Sequence, residues 1–289
     1  MSITFLSILS GITSMFGWGL YDFLGGVFAK QIGPYKSFFW SQLAGFASML
    51  LLALIAAPNA SISAGVALLF PVAALLYSAG YLFFFKGFEV GNVSIVAATM
   101  NLWAVFTMTF AFIFMGQRLR TIQTIGVLMI LAGVAVASLN WSEIQQRKFQ
   151  LSAGVKEAIA GAFFFGIYWN VSEVIVEEVG WLVSTAFIKL GIVVFMLLFS
   201  IFSKRGMGLA SIARKTILAI FVMGIIEAGA VAAVNYGLGI GDAILITPVA
   251  SALSVVTILL AIVFLKEKIT RFQGFGIAIA IVGIVVTGF

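Results

Sequence analysis

Apolar residues run along this chain in ten long blocks that are separated by short polar stretches. Each block is long enough to cross the roughly 30 Å of hydrocarbon in a bilayer as a helix. Backbone polar groups in lipid must pair within their own segment, and no block alternates like a strand, so ten helices are predicted. The predicted spans are about 3–29, 37–57, 65–86, 93–115, 122–139, 154–176, 182–203, 215–238, 243–265 and 272–289.

The end of the chain repeats an earlier part of it. Residues 237–289 align without a gap on residues 87–139, at a shift of 150 positions, and roughly ten of the 53 positions are identical. Matching glycines and a matching polar hinge over an ungapped length indicate two homologous halves. We place the first five-helix repeat at 1–139, an inter-repeat loop at 140–152 and the second repeat at 153–289. The identities include Gly87/Gly237, Gly91/Gly241, Phe114/Phe264, Gln123/Gln273, Gly126/Gly276 and Gly133/Gly283.

The number of spans in each half fixes how the halves are related. Because five is odd, the second half must enter the membrane inverted relative to the first. The predicted fold class is therefore an all-α integral membrane protein of ten transmembrane helices in two inverted five-helix repeats. This is the architecture of alternating-access carriers, in which one half moves against the other around a shared site.

The composition agrees with a protein in a bilayer. Hydrophobic residues make up 63% of the chain and charged residues 9%, and the mean hydropathy is +1.20. The net charge of +6 is spread over short loops, which favours a role in membrane orientation over nucleic-acid binding. The chain has no Cys and no His, which excludes disulfides, thiolate chemistry and imidazole bases. We expect no metal, no cofactor and no enzymatic activity.

The distribution of Lys and Arg predicts an orientation. Thirteen of these residues lie at odd-numbered connections between spans, whereas only Arg118 and Arg120 lie at an even one and Lys189 lies inside a span. The positive-inside rule therefore puts the odd connections in the cytoplasm and both termini outside a plasma or inner membrane. In the first half, three Lys or Arg residues lie at odd-numbered connections and two lie at an even-numbered one. The predicted orientation therefore depends on the second half.

The turn from span 9 into span 10 carries a family resemblance. It reads Phe264-Leu265-Lys266-Glu267-Lys268-Ile269, followed by Gln273-Gly274-Phe275-Gly276 and Gly283. An acidic hinge, a Gln-containing turn and a glycine-lined helix resemble the EamA-type members of the drug/metabolite transporter superfamily, although the first copy has Gln117 in place of the hinge Glu. The resemblance covers nearly the whole chain and implies a transporter. Its members carry amino acids, drugs, sugars and nucleotide sugars, so it leaves the substrate open.

Four charged residues are predicted to lie at bilayer depth, namely Asp22, Glu173, Lys189 and Glu227. A charge at bilayer depth costs at least about 2.5 kcal/mol, so each indicates a site or a specific partner. Asp22 and Glu173 have the alternative of reaching the headgroups. Glu227 and Lys189 have the alternative of a buried structural pair.

Spans 1 and 6 carry similar aromatic and acidic segments, FGWGLYDF at 16–23 and FGIYWNVSE at 165–173. Since the halves are inverted, we expect the two acids to approach opposite faces of one cavity between spans 1, 3, 4 and 6, 8, 9. Trp and Tyr near helix ends have the alternative role of interface anchors. The candidate cavity residues are Trp18, Asp22, Trp40, Tyr77, Tyr81, Asn101, Tyr168, Trp169, Asn170, Glu173, Lys189, Glu227 and Asn235.

Further features of the spans refine this prediction. Tyr77 and Tyr81 share a helix face, whereas Asn101 and Trp103 do not, so at most one of the latter two should face the cavity. Span 2 adds Gln42, Thr247-Pro248 predicts a bend at the start of span 9, and spans 5 and 10 should pack through their glycines. The 29 Phe residues are interpreted as lipid-facing bulk.

The leading functional prediction is a secondary carrier of a small amphipathic metabolite. Two opposite charges among aromatics suit a zwitterion, so amino-acid export ranks first, with Glu227 as the candidate for proton coupling. The alternatives on the same fold are multidrug or organic-cation efflux and sugar uptake. A channel or scramblase ranks below these. The expected partners are a small-molecule substrate and the lipid bilayer, and a monomer should suffice because the duplicated chain forms its own pair.

Overall fold

The computed structural model describes residues 3–56, 62–114, 120–138, 151–204, 206–210, 212–239, 250 and 252–287, and helices make up nearly all of them. Eleven helices lie in these ranges. They are α1 (Ile3–Ile32), α2 (Pro34–Ala56), α3 (Ala64–Val90), α4 (Val93–Met100), α5 (Leu102–Phe114), α6 (Thr121–Ser138), α7 (Val155–Val179), α8 (Trp181–Ser203), α9 (Arg214–Gly239), α10 (Leu253–Phe264) and α11 (Arg271–Thr287).

These helices correspond to the ten predicted spans. Helices α4 and α5 form one span that is broken at Asn101, whose backbone N–H donates to the carbonyl of Ala98 instead of continuing the α-helical pattern. By length and composition, six spans of the described chain are suited to crossing a membrane, and α6, α10 and α11 contain shorter apolar stretches. Gln117, Arg118, Thr247-Pro248 and most of the inter-repeat loop lie outside the described residues.

The connections after the first helix of each half are alike. A single glycine separates α1 from α2 and another separates α7 from α8. Gly33 has φ of 86° and Gly180 has φ of 77°, a region that residues with a Cβ rarely adopt. Each glycine thus reverses the chain in one residue. The two connections lie 147 positions apart, which fixes the register between the first helices of the halves.

The packing of the helices follows a pseudo-twofold axis. Helix α1 packs against α9 and α10 of the other half, and α7 packs against their counterparts α3 and α5. Likewise α2 contacts α9 as α8 contacts α3, while α4 meets α10 and α6 meets α11 across the axis. Among the described helices, the contacts of one half thus recur in the other, as two inverted repeats require.

Helices α6 and α11 touch backbone to backbone through their glycines, which confirms the predicted role of spans 5 and 10. A Cβ on Gly276 would lie 2.5 Å from the backbone N of Ala137 and 2.6 Å from the carbonyl O of Gly133. A Cβ on Gly283 would lie 2.8 Å from the carbonyl O of Gly126, which is the same contact seen from the other half. Close approach of this kind is how membrane helices gain packing energy without a hydrophobic drive.

Gly276→Ala is expected to destabilise the protein by about 1–3 kcal/mol, because its methyl group would collide with backbone that cannot move aside. Gly274→Ala, two residues earlier in the same helix, is the matched control, since its Cβ would lie 3.8 Å from the nearest atom, Ile269 Cδ1. The control should keep or slightly raise stability, as Ala favours helix over Gly. Unfolding midpoints in detergent measure both variants. Equal midpoints would contradict this description of the interface.

Candidate functional site

A small, mostly aromatic cavity lies where α1, α3, α7 and α10 meet the break between α4 and α5. Its volume is about 30 Å³, which is room for one or two water molecules. It lies between spans 1, 3, 4, 6 and 9, five of the six spans predicted. Its lining residues are Trp18, Asp22, Tyr77, Tyr81, Phe84, Met100, Trp103, Phe165, Trp169 and Leu253.

The rings around the cavity contact one another continuously. Trp169 contacts Trp18, Trp103 and Tyr168 at centroid distances of 5.6, 5.9 and 5.0 Å. Tyr168 in turn contacts Tyr77 at 4.9 Å, which connects the tryptophans to the tyrosines of α3. Most of these pairs are edge-to-face or tilted, the arrangements that aromatic rings prefer. The aromatic residues of both halves thus form one wall.

A buried ion pair lies beside this wall. Lys189 Nζ is 2.5 Å from Glu227 Oε2, and both side chains are almost completely buried. The Tyr77 hydroxyl donates to Glu227 Oε1, while Gln42 Nε2 donates to Oε2 at 3.3 Å. Lys189 also donates to Gln42 Oε1 at 3.0 Å. The carboxylate therefore has a counter-charge and hydrogen bonds, the conditions under which a buried charge is tolerated.

The four polar residues of this network are related by the repeat. Tyr77 and Glu227 lie 150 positions apart, which is the shift that aligns the ends of the two halves. Gln42 and Lys189 lie 147 positions apart, the same shift that separates the connecting glycines. Each hydrogen-bonded pair consequently joins equivalent positions of the two halves. The network lies at the pseudo-twofold axis, where any rearrangement acts on both halves at once.

Tyr77 belongs to both features. Its ring lines the cavity, and its hydroxyl bonds to the carboxylate of Glu227. The Lys189 ammonium also lies 5.9 Å from the centroid of the same ring. A molecule that entered the cavity and moved this ring would change the hydrogen bonding of the ion pair.

The small residues near Glu227 serve helix packing. A Cβ on Gly224 would lie 1.9 Å from the carbonyl O of Ser41, so α2 and α9 are in backbone contact there. Gly45 of α2 approaches the carbonyl O of Gly224 in the same way, at 2.9 Å from an added Cβ. The glycine at position 224 thus permits close packing of α2 against α9 and does not leave room for a ligand there.

Asp22 and Glu173 do not form the expected pair across a shared cavity. Asp22 is buried and lines the cavity, whereas Glu173 lies on the exposed surface of α7. Measured from the connecting glycines, Asp22 lies 11 residues before Gly33 and Trp169 lies 11 residues before Gly180. The counterpart of Asp22 is therefore Trp169, and Glu173 lies one helical turn further along. Matching the two segments by their acids misplaced the register.

Five other candidate residues do not line the cavity. Trp40 donates from Nε1 to the carbonyl O of Met207 at 2.8 Å, which holds the connection between α8 and α9. Asn170 donates to the carbonyl O of Thr107 at 3.2 Å and joins α7 to α5. Asn235 donates to Thr185 Oγ1 at 2.9 Å and joins α9 to α8. Asn101 is buried at the break of span 4. The fifth, Tyr168, belongs to the aromatic wall but does not itself line the cavity.

Several cavity residues were not among the thirteen candidates. Trp103 lines the cavity and Asn101 does not, so the prediction that at most one faces it is confirmed. Phe84 and Phe165 also line it, and the interpretation of phenylalanine as lipid-facing bulk is wrong for them. The sequence offers one signal for them, which is spacing. Phe84 follows Tyr81 by three residues and Phe165 precedes Tyr168 by three, so each lies on the same helix face as a candidate tyrosine.

The acidic hinge before α11 binds the start of α4. Glu267 accepts hydrogen bonds from the backbone N–H groups of Val93 and Ser94 at 2.7 and 2.9 Å, and from Ser94 Oγ at 2.9 Å. Lys30 Nζ at the end of α1 lies 3.9 Å from its carboxylate. A carboxylate satisfies the unpaired N–H groups of a helix start and interacts favourably with its dipole. We call this set the hinge contact; it joins the second half to the first.

Glu267→Ala is expected to lower the free energy of unfolding by about 1–2 kcal/mol, because it leaves the first N–H groups of α4 without acceptors. Glu89→Ala is the control, since Glu89 is a partly exposed acid paired at 2.5 Å with Lys86. Surface pairs of this kind contribute about 0–1 kcal/mol. Unfolding of both variants in mixed detergent micelles provides the comparison. A smaller loss for Glu267→Ala than for Glu89→Ala would contradict the assigned role of the hinge contact.

These features define a class: a multi-pass α-helical membrane protein of two inverted five-helix repeats with a small aromatic cavity between them. The model of the EamA-like transporter family matches residues 5–139 and again residues 152–289, and the chain belongs to this family. The family is one of transporters, not enzymes. Among the described residues no group of three or more acidic, His or Cys side chains is arranged to hold a metal ion.

Comparison with solved structures agrees with this fold. One match, described only as a "Crystal structure of protein", has a TM-score of 0.69 and 19% sequence identity, and it covers 97% of this chain and 94% of the other. At this identity the similarity shows the fold alone. A search of curated proteins finds no match.

Proposed function

We propose that this transporter is a secondary carrier that moves small amphipathic metabolites by alternating access around the aromatic cavity. The observation that carries the proposal is Tyr77, which lines the cavity and bonds to the Lys189–Glu227 pair at the axis of the two halves. Occupancy of the cavity thereby has a physical route to both halves. Carriers with inverted repeats bind substrate at the repeat interface.

The small volume of the cavity fits one stage of such a cycle. A space of about 30 Å³ does not hold an amino acid or a drug, so substrate enters only when the halves have moved apart. The hinge contact lies at one end of the bundle, where it joins Glu267 of the second half to α4 of the first. In this proposal the contact opens when the cavity becomes accessible from that end.

Amino-acid export, the leading prediction from the sequence, requires the Lys189–Glu227 ion pair to separate when substrate binds. Lys189 and Glu227 are bonded to each other, so a zwitterion must replace each charge with its own ammonium and carboxylate. Proton coupling at Glu227 likewise requires the pair to separate. Radiolabelled L-phenylalanine tests this, because Glu227→Gln should then abolish its uptake. Uptake at the rate of the native protein would exclude the role of Glu227.

Counterflow in proteoliposomes tests the carrier itself. Vesicles are loaded with unlabelled L-phenylalanine, phenethylamine or glucose, and uptake of the same labelled compound is followed. A carrier accumulates label transiently and saturates with concentration, because its site alternates between the two sides. Flux that is linear in concentration and insensitive to the loaded compound would instead identify a channel.

A further inference from the structure

Asp22 is a buried carboxyl group without a hydrogen-bond or ion-pair partner among the residues that the structure describes. It is 1% exposed and lines the cavity, and its Oδ1 has no hydrogen-bond partner in the described part of the chain. The other two buried charges in the spans, Lys189 and Glu227, neutralise each other. Since an isolated buried carboxylate is strongly unfavourable, the charged form of Asp22 requires a positive charge that none of the described residues supplies.

The surroundings of Asp22 suit a cation. Trp18, Tyr77, Tyr81 and Trp169 line the same cavity, and the faces of such rings attract ammonium groups. None of the described residues that line it is a Lys or an Arg. Trp169 stands at the position of the second half that corresponds to Asp22, so the carboxylate of one half shares the cavity with an indole of the other. An acid among aromatic rings is the arrangement that recognises amines.

The cavity is correspondingly poor in groups for an anion. Lys189, whose ammonium lies 5.9 Å from the centroid of the Tyr77 ring, already bonds to Glu227 at 2.5 Å and to Gln42 at 3.0 Å. The indole N–H of Trp18 is buried without a partner and offers a single neutral donor. A carboxylate entering the cavity would therefore lose its hydration and meet no counter-charge. This disfavours anions and, to a smaller degree, zwitterions.

We propose that Asp22 binds the ammonium group of the substrate, and that the substrate is an organic cation, an amine carried on an apolar or aromatic body. The inference rests on the carrier proposed above and names the class of compound it moves. It assigns recognition to Asp22 and the aromatic wall. The Lys189–Glu227 pair then stays intact while substrate is bound.

Four compounds with one phenyl ring and different charges test the proposal. They are phenethylamine, 2-phenylethanol, L-phenylalanine and 3-phenylpropionate, and their dissociation constants are measured with the purified protein. Phenethylamine should bind at least about tenfold more tightly than 2-phenylethanol, because only the amine gains the carboxylate and the ring faces. L-phenylalanine should be intermediate, and 3-phenylpropionate weakest.

Three variants assign the preference to one residue. Asp22→Asn keeps the shape of the side chain and should reduce the preference for phenethylamine over 2-phenylethanol to within about twofold. Asp22→Glu should retain much of it, which guards against a variant that fails only through misfolding. Glu173→Gln removes an exposed acid from the corresponding helix and should leave the preference unchanged. A preference that survives Asp22→Asn would overturn the proposal.

Counterflow of the same four compounds separates this inference from the carrier on which it rests. Counterflow of L-phenylalanine or 3-phenylpropionate without binding of phenethylamine would overturn the cation site and leave the carrier standing. Binding of phenethylamine that depends on Asp22, without counterflow of any of the four, would support the cation site and overturn the carrier.

Discussion

Lys189→Met is expected to destabilise the protein by about 3–5 kcal/mol, because it leaves the carboxylate of Glu227 buried without a counter-charge. In the native protein Lys189 Nζ and Glu227 Oε2 are 2.5 Å apart. Both side chains are almost completely buried, so water cannot solvate the carboxylate once the ammonium group is removed. Met has nearly the length of Lys, so lost packing contributes little. The free energy of unfolding in mixed detergent micelles, followed by tryptophan fluorescence, measures the effect.

The double variant Lys189→Met/Glu227→Gln distinguishes loss of charge balance from loss of shape. It should recover most of the stability, since the neutral amide no longer needs a cation and Tyr77 and Gln42 still provide hydrogen-bond partners. Lys86→Met, which removes one partner of a surface pair, should change stability by no more than about 1 kcal/mol. A Lys189→Met protein as stable as Lys86→Met would contradict the assignment of a charged pair.

Tyr77→Phe is expected to slow transport by about 10–100-fold while leaving binding unchanged within about twofold. The ring stays in the cavity wall, but the hydrogen bond from the hydroxyl to Glu227 Oε1 is lost. Hydrogen bonds to charged groups contribute about 1.5–3 kcal/mol, and each 1.4 kcal/mol changes a rate tenfold. Initial counterflow rates and dissociation constants for phenethylamine separate the two effects.

Tyr81→Phe is the control for this prediction. Tyr81 lies one turn further along the same face of α3 and lines the same cavity, with its ring 4.9 Å from that of Tyr77. Replacing Tyr81 by Phe should change neither the counterflow rate nor the dissociation constant of phenethylamine much. If Tyr77→Phe and Tyr81→Phe slowed transport equally, the link between the cavity and the ion pair would have no support.

Much of the fold was predictable because it is carried by local patterns and by the duplication. Ten apolar blocks predict ten spans, and the aligned glycines Gly126/Gly276 and Gly133/Gly283 predict the contact between α6 and α11. The broken span 4 was not predicted. Neither a proline nor a charge marks Asn101, and its break is a local change in hydrogen bonding that no periodic signal records.

The site was predictable in part, for geometric reasons. Each residue along a helix turns its side chain by about 100°, so an error of register sends a side chain to another face. This is why Glu173 was grouped with Asp22, when the position that corresponds to Asp22 is occupied by Trp169. The charges Lys189 and Glu227 were recognised individually, and pairing was one of two alternatives. Only the packing of α8 against α9 decides between them.

Cross-linking at the hinge contact tests the central claim, alternation of the two halves, most directly. The natural chain has no cysteine, so Ser94→Cys/Glu267→Cys introduces only the two thiols needed. Ser94 Oγ and Glu267 Oε2 are 2.9 Å apart, within reach of a short methanethiosulfonate cross-linker. Lys86→Cys/Glu89→Cys, with both thiols on α3, is the control that cross-links within one helix.

Alternating access predicts that the Ser94→Cys/Glu267→Cys protein loses counterflow by at least about tenfold when cross-linked and recovers it after reduction, because the halves must part at this end of the bundle. The control pair should transport equally well in both forms. Full counterflow by the cross-linked protein would contradict the account, since the halves would then transport without separating at the hinge contact.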